Sequence, residues 1–333
     1  MVSDGRAGHT SQVKAIAQAL LATERWTGLR HVDASAQLTD PILLTPKAPW
    51  TWWPGADWPA PLQALPKRQR HKFARPWPSV WIGAGRRVAP YSAKMKDWSG
   101  GRTFVVHLMD AGIDEDRLDL RVIPEHDQPG GKNLVSSVGA PAYFSPGDVE
   151  HARQSFADLA SDPRKTAVVL LGGGSKSHRF QPDDADRLLG QLETLIGQDW
   201  QVLITASRRT PAAISARFRQ WAERNDGRFW GGPSDGPNPY LGWLAHADFA
   251  IVTEDSASML AEAAWFGLPI AISRLTGGST KFDRLHRTFI AHGAARWLED
   301  WAGELWTYSR LREAERIADA IINKLIERHQ APE

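Results

Sequence analysis

The stretch AIVTEDSASMLAEAAWFGLPIAIS, residues 250–273, decides the fold. Phe249-Ala250-Ile251-Val252 is a short apolar run that stops at the polar cluster Thr253-Glu254-Asp255-Ser256. This is the pattern of a strand buried on both faces that ends in a turn. Ser258 to Phe266 are good helix formers, Gly267 ends the helix, and Pro269 prevents its return before Ile270-Ala271-Ile272 opens a second buried strand. The polar turn therefore lies at the carboxyl end of a strand and the amino end of a helix. There, unsatisfied backbone N–H groups and the helix dipole favour an anion such as a diphosphate. Glu262, about one turn inside that helix, has the acceptor chemistry for a ribose diol. The competing reading is structural: Ser256 or Asp255 acts only as an N-cap.

Downstream, Thr276-Gly277-Gly278-Ser279-Thr280-Lys281 adds a cationic loop. From Tyr308 to Arg328, Leu311, Ala314, Ala318, Ile321 and Leu325 recur at 3–4 spacing, which predicts an amphipathic helix docked on the fold. Upstream, Lys165 to Leu171 is a strand running into Gly172-Gly173-Gly174-Ser175, where three glycines imply that something approaches the backbone closely. Neither a G-x-G-x-x-G helix opening nor a Walker lysine motif is present. Asp183 to Ile196 is a predicted helix. Trp200 to Thr205 is a strand ending in Ser207-Arg208-Arg209-Thr210-Pro211, and Asn238 to Ala245 is a loop with a short helix. Gly172 to Ser175, Thr205, Ser207 to Arg209, Thr253 to Ser256, Ser258 and Glu262 form a constellation suited to a nucleoside diphosphate, with Lys281 on the diphosphate side. No carboxylates or histidines fall at metal-ligand spacing.

The first half repeats the plan. Asp4-Gly5-Arg6-Ala7-Gly8-His9 is a glycine turn, followed by Val13, Ile16, Ala17 and Leu20 at helical spacing. Only Met1-Val2 remain as a strand before it, so the true start is expected a few residues upstream. Strands follow at Ser79 to Ile82, Thr103 to Leu108, Leu120 to Ile123 and Asn133 to Val138, the first running into Gly83-Ala84-Gly85-Arg86-Arg87. His107 and His126-Asp127 fall near strand ends, the edge where such sheets bind ligands. The chain thus divides into residues 1–145, 146–307 and a C-terminal helix with its tail, 308–333.

Composition narrows the function classes. With 333 residues, a formal charge of +2 and no cysteine, the chain has room for two domains, no pull toward nucleic acid and no thiolate chemistry. The first residues have no secretory signal and no apolar run is long enough to span a bilayer, so a cytoplasmic location is expected. Of 16 tryptophans, Trp50, Trp52, Trp53, Trp58 and Trp77 alternate with prolines ahead of Lys67, Arg68, Arg70 and Lys72. Trp with Lys and Arg is what a membrane interface selects, so peripheral contact with the inner face of an anionic membrane is one expectation. The other is that the tryptophans fill their own domain.

The pairing of Gly5-x-x-Gly8-His9 with Glu262, Gly267 and Pro269 resembles the GT-B glycosyltransferases, among them the N-acetylglucosaminyltransferase that makes lipid II and, more loosely, lipid A disaccharide synthase. More closely, SDGRAGHTSQ at 3–12, GAGRR at 83–87, SRRTP at 207–211, NPY at 238–240, TEDSASM at 253–259 and KFDR at 281–284 resemble the family named for the plant mitochondrial-fission protein whose loss elongates mitochondria. The resemblance implies a GT-B fold of two Rossmann-like domains facing across a cleft, the donor nucleotide in the second and the acceptor in the first. It implies Glu262 on the ribose and Gly5, Gly8, Gln12, Gly85 and Arg86 toward diphosphate and acceptor. Asp4 and Arg6 depart from the lipid II pattern. Three functions remain open. The first is a metal-independent, cofactor-free inverting transferase, with His9 or Asp4 as base, Arg6 beside them and a UDP-sugar as favoured donor to a cell-envelope acceptor. The second is a UDP-sugar epimerase or hydrolase. The third is a binding protein without catalysis, as implied by the plant member's recruitment of a dynamin-like protein.

Overall fold

A computed structural model describes the chain except residues 28, 30–37, 39, 54, 196–198 and 331–333. The fold is α/β, with two six-stranded sheets that are each wholly parallel. Residues divide into unit 1, Met1–Tyr143 with Arg312–Glu333, and unit 2, Phe144–Leu311.

Unit 1 contains β1 (Val2–Ser3), α1 (Ala7–Ala22), α2 (Glu24–Thr27), β2 (Ile42–Leu43), α3 (Lys67–Arg70), β3 (Val80–Ala84), α4 (Ala89–Trp98), β4 (Phe104–Leu108), β5 (Leu120–Pro124) and β6 (Leu134–Ser137). Its strand order is β2-β1-β3-β4-β5-β6, so the direction of winding reverses between β1 and β3. The central strands β3 and β4 are buried on both faces, and the period of two sends neighbours to opposite layers. Ile82 and Val106 pack with Val13, Ile16 and Leu20 of α1, while Trp81 and Val105 pack with Tyr91, Met95, Phe73 and Trp58.

Half of the 16 tryptophans are buried core residues, and Trp58 is one of them. Trp58 is 3% exposed and lies edge-on to Tyr91, so it is no membrane contact; its rings close the layer beneath α4. Trp50 and Trp77 are half-buried against the same layer. Trp52 and Trp53 are exposed, as are Lys67, Arg68, Arg70 and Lys72. Arg70 also donates to the carbonyls of Leu65 and Gln63, which fastens the basic turn to the Trp-rich loop.

Unit 2 contains α5 (Pro146–Ser155), β7 (Lys165–Leu171), β8 (His178–Arg179), α6 (Pro182–Leu195), β9 (Trp200–Ala206), α7 (Ala212–Arg224), β10 (Arg228–Trp230), α8 (Tyr240–His246), β11 (Phe249–Thr253), α9 (Ala257–Phe266), β12 (Ile270–Ser273), β13 (Thr276–Gly277), α10 (Thr280–Ala291) and β14 (Ala295–Trp297). The predicted helix end at Ile196 lies outside the described residues. The sheet order is β10-β9-β7-β11-β12-β14, which is the 3-2-1-4-5-6 winding of a dinucleotide fold with its reversal between β7 and β11. Gly267 ends α9 at φ 80°, donating to Ala263 and Ala264 carbonyls, as a left-handed C-terminal glycine does.

The last helix, α11 (Glu313–Gln330), starts five residues later than its periodicity predicts. Residues 308–311 are held extended on unit 2 instead: the Tyr308 hydroxyl donates to Leu268 O and Leu311 N–H to Ala264 O. The helix itself returns to unit 1, where Ala314, Ile317, Ala318 and Ile321 bury against α1.

Candidate functional site

Each unit places its candidate residues at the carboxyl ends of the strands that flank its reversal, where open parallel sheets bind ligands.

In unit 1 these are the loops after β1 and β3. The Asp4 side chain is 4% exposed, and its Oδ1 takes the His9 Nδ1 hydrogen at 2.8 Å. An ionised carboxylate only accepts, so in the neutral imidazole the proton sits on Nδ1 and Nε2 carries the lone pair. His9 is 14% exposed, and Nε2 has no protein partner among the described residues. Gly85 explains itself twice. Its φ is +93°, and a Cβ there would stand 2.6 Å from His9 Nδ1 and 2.7 Å from Asp4 Oδ2. The residue must be glycine for the aspartate–histidine pair to close. Gly8 has no such need: it lies in the first turn of α1 with open space around it. Arg6 is exposed with its Nε 3.9 Å from Asp4, Arg86 is exposed beyond β3, and Gln12 lies half-buried on α1. The Arg6 side chain does not cap α1, and the N–H groups of Ala7, Gly8 and His9 find no protein acceptor among the described residues. His107 belongs to the core, not the site edge: it is 1% exposed, its Nδ1 meets Ser92 Oγ at 2.9 Å, and burial pushes its pKa down to about 3. His126 is likewise buried.

In unit 2 the loops after β7, β9 and β11 converge, but the glycines serve the protein. Gly172 N–H donates to Thr253 Oγ1 at 2.7 Å; Gly173 and Gly174 N–H donate to Asp255 Oδ2 at 3.1 and 3.0 Å. Thr253 Oγ1 in turn donates to Asp255 Oδ1 at 2.8 Å. The side chain of Asp255 is fully buried, with the Arg209 guanidinium 3.6 Å away. A Cβ on Gly172 would strike that carboxylate, and one on Gly173 would strike the Arg209 backbone. The approach that the three glycines signal is therefore that of Asp255 and Arg209, and the loop's amides have acceptors already. Arg209 also donates to Gly174 O at 2.7 Å, and Ser207 and Thr210 hydrogen-bond each other across the turn. Thr205 is buried, its hydroxyl without a hydrogen-bond partner among the described residues. Ser175 folds its hydroxyl back on Ser177 and His178. Arg208 is exposed, and so is Lys281, which the structure places not on a loop but in the first turn of α10.

Glu254 is buried and structural. Its carboxylate takes the Leu275 N–H at 2.5 Å, its carbonyl takes His286 Nε2 at 2.8 Å, and burial raises its pKa. Burial lowers the pKa of His286 to about 4, so the ring is neutral and Nε2 is a donor.

The start of α9 is different. Ser256 occupies the cap position, but its side chain makes no cap hydrogen bond. The N–H groups of Ala257, Ser258 and Met259 have no protein acceptor among the described residues. Ser258 is exposed on that first turn. Glu262 follows, half-buried, with Oε2 accepting the Tyr240 hydroxyl at 2.5 Å. Burial pushes its pKa up to about 7 against the pull of that hydrogen bond. The N-cap reading of Ser256 thus gives way to an uncapped helix start below a carboxylate. Sequence reading assigned no role to Tyr240, although the NPY motif marks it, nor to His178, which is 1% exposed beneath the serines of its loop.

Three comparisons with known proteins bear on this arrangement. A family model described as Mitochondrial fission ELM1 matches residues 7–325. The mitochondrial fission protein ELM1 of Arabidopsis thaliana is 24% identical over 297 residues, covering 81% of this chain and 69% of the plant protein. An uncharacterized protein of Rickettsia prowazekii is 28% identical over 282 residues, 73% of this chain and 79% of its own. Among solved structures, ADP-heptose lipopolysaccharide heptosyltransferase II of E. coli superposes with a TM-score of 0.49 at 12% identity, covering 98% of both chains. The S. aureus MnaA–UDP co-structure gives 0.47 at 11%, over 100% of this chain and 98% of that one.

Proposed function

The chain belongs to the mitochondrial fission ELM1 family, and on that premise we propose that it is a GT-B-type inverting glycosyltransferase that takes a nucleoside-diphosphate sugar, UDP-linked by preference. The observation that carries the reading is the uncapped start of α9 at the reversal of a dinucleotide-type sheet, with Glu262 about one turn beyond it. The three open amides receive the diphosphate, and the helix dipole adds to them. Arg208, Arg209 and Lys281 supply further positive charge, and Glu262 accepts from the ribose hydroxyls.

The base in this reading is His9. An acceptor hydroxyl gives its proton to His9 Nε2 while its oxygen bonds to the anomeric carbon. The bond from that carbon to the diphosphate breaks, and its electron pair leaves on the phosphate oxygen. Asp4 holds the imidazole in the tautomer this requires and stabilises its charged form. Charge neutralisation comes from the protein alone, with no cofactor in the scheme.

The acceptor in this reading is a cell-envelope lipid-linked intermediate at an anionic membrane surface. Trp52 and Trp53 reach into the headgroups while Lys67, Arg68, Arg70 and Lys72 hold the surface, each cation contributing on the order of 1 kcal/mol. Sedimentation with anionic vesicles tests this part; binding that survives changing all four cations to Ser counts against it. Among the described residues no helix is long and apolar enough to cross a membrane.

Calorimetry with UDP, GDP and ADP tests the core of the proposal, followed by turnover with a panel of nucleotide sugars. Absence of binding at millimolar concentration overturns the transferase and leaves a binding role for the fold.

A further inference from the structure

The Asn238-Pro239-Tyr240 motif takes no part in the chemistry above, yet its geometry is specific. Asn238 Oδ1 accepts the Tyr240 N–H at 3.0 Å, and with Pro239 at the cap position it fixes the start of α8. The Tyr240 hydroxyl then donates to Glu262 Oε2 at 2.5 Å across a gap of 22 residues. One hydrogen bond to a carboxylate thus ties the helix before β11 to the helix after it. Both residues stay half-buried, so neither is sealed from a ligand.

We propose that Tyr240 is a positioning residue for nucleotide recognition: its hydroxyl engages one oxygen of Glu262 and leaves the other for the ribose diol of a nucleoside diphosphate. This rests on the reading of Glu262 as the ribose acceptor. A carboxylate has about four acceptor positions on two oxygens and no donor while ionised. Two hydroxyls of a diol need such an acceptor, and a protonated Glu262 would offer a donor in its place. Burial favours the protonated form, and Tyr240 is the titratable group that opposes this; no cation faces Glu262 among the described residues. Burial and the Glu262 charge raise the Tyr240 pKa, so the phenol remains a donor. Binding of the diol therefore favours the ionised carboxylate. Affinity should rise as pH increases through about 7, and loss of the phenol should move that rise to higher pH.

The test uses the full chain, UDP and 2′-deoxy-UDP as probes, and calorimetry from about pH 6 to pH 9. Wild type should prefer UDP over the deoxy analogue by on the order of tenfold. Tyr240→Phe, which keeps the ring, should bind UDP about 5- to 10-fold more weakly at neutral pH and discriminate less. Both properties should return toward wild type at the alkaline end. Glu262→Gln, which cannot ionise, should give weak binding that does not change with pH. Unchanged affinity in Tyr240→Phe, or an equal loss at every pH with discrimination intact, overturns the role of Tyr240 alone. A wild type that binds no UDP, or a Glu262→Gln variant that binds as wild type does, overturns the ribose reading together with it.

Discussion

Asp4 in unit 1 and Asp255 in unit 2 stand in matching places, just past a strand that flanks a reversal of winding, and their side chains are nearly or fully buried. Asp4 engages an imidazole whose other nitrogen has no protein partner among the described residues, the arrangement that the proposed mechanism uses as a base. Asp255 engages two glycine amides and a threonine hydroxyl, so it fills the anion nest that its own glycine loop creates. The same topology thus yields two chemistries. Where the carboxylate is paired with an imidazole, the proposed chemistry is proton exchange; where two backbone amides and a hydroxyl take it up, the open amides are those of the next helix. A glycine-rich turn at a strand end is not by itself a phosphate site.

The largest effect should come from breaking the unit 1 side. His9→Ala is expected to lower turnover by about 10²- to 10⁴-fold while leaving UDP affinity unchanged. Steady-state kinetics paired with calorimetry would show it, and retained turnover would remove the base from His9. On the unit 2 side, Asp255→Ala strands two glycine N–H groups that both donate to its carboxylate, and should cost about 2–3 kcal/mol in unfolding by urea. A loss of activity with no loss of stability would mean that Asp255 faces substrate after all. Gly85→Ala should cost about 1–3 kcal/mol from its positive φ and, by pushing the imidazole off Asp4, lower turnover as well. The smallest effect is expected at Gly8, in helical backbone with free space. Gly8→Ala should raise the unfolding free energy by up to about 1 kcal/mol and leave kinetics alone. A damaged Gly8→Ala variant would show that a ligand does approach there.

Much of this edge was legible in the residues. Lys165 to Leu171 and Phe249 to Val252 are apolar runs too short for helices and flanked by turn chemistry, and the structure makes them central strands. Gly267 followed by Pro269 ended α9 as read. The meaning of Gly172 to Gly174 was not legible, because their partner, Asp255, is about 80 residues away and composition does not record pairing. A glycine next to a ligand and a glycine next to a buried carboxylate carry the same local signal. Tyr240 was hidden for the same reason. Trp58 was misplaced because an aromatic between prolines suits a membrane interface and a loop folded over its own core equally well. The late start of α11 follows from Tyr308, whose hydroxyl finds a carbonyl of unit 2 before the helical periodicity can take hold.

That return of the chain to unit 1 has a consequence for how the protein is made. The segment from Phe144 to Leu311 is one continuous piece and has all its strands as soon as it leaves the ribosome. Unit 1 begins emerging first, yet one layer of its core waits for Ala314, Ile317, Ala318 and Ile321, nearly 180 residues after Tyr143. At roughly 5–20 residues per second, synthesis leaves the apolar face of α1 uncovered for roughly 15–60 s. Nascent chains stalled before residue 312 should therefore hold a protease-resistant second half and a first half that recruits chaperones, the reverse of the usual order along a two-domain chain.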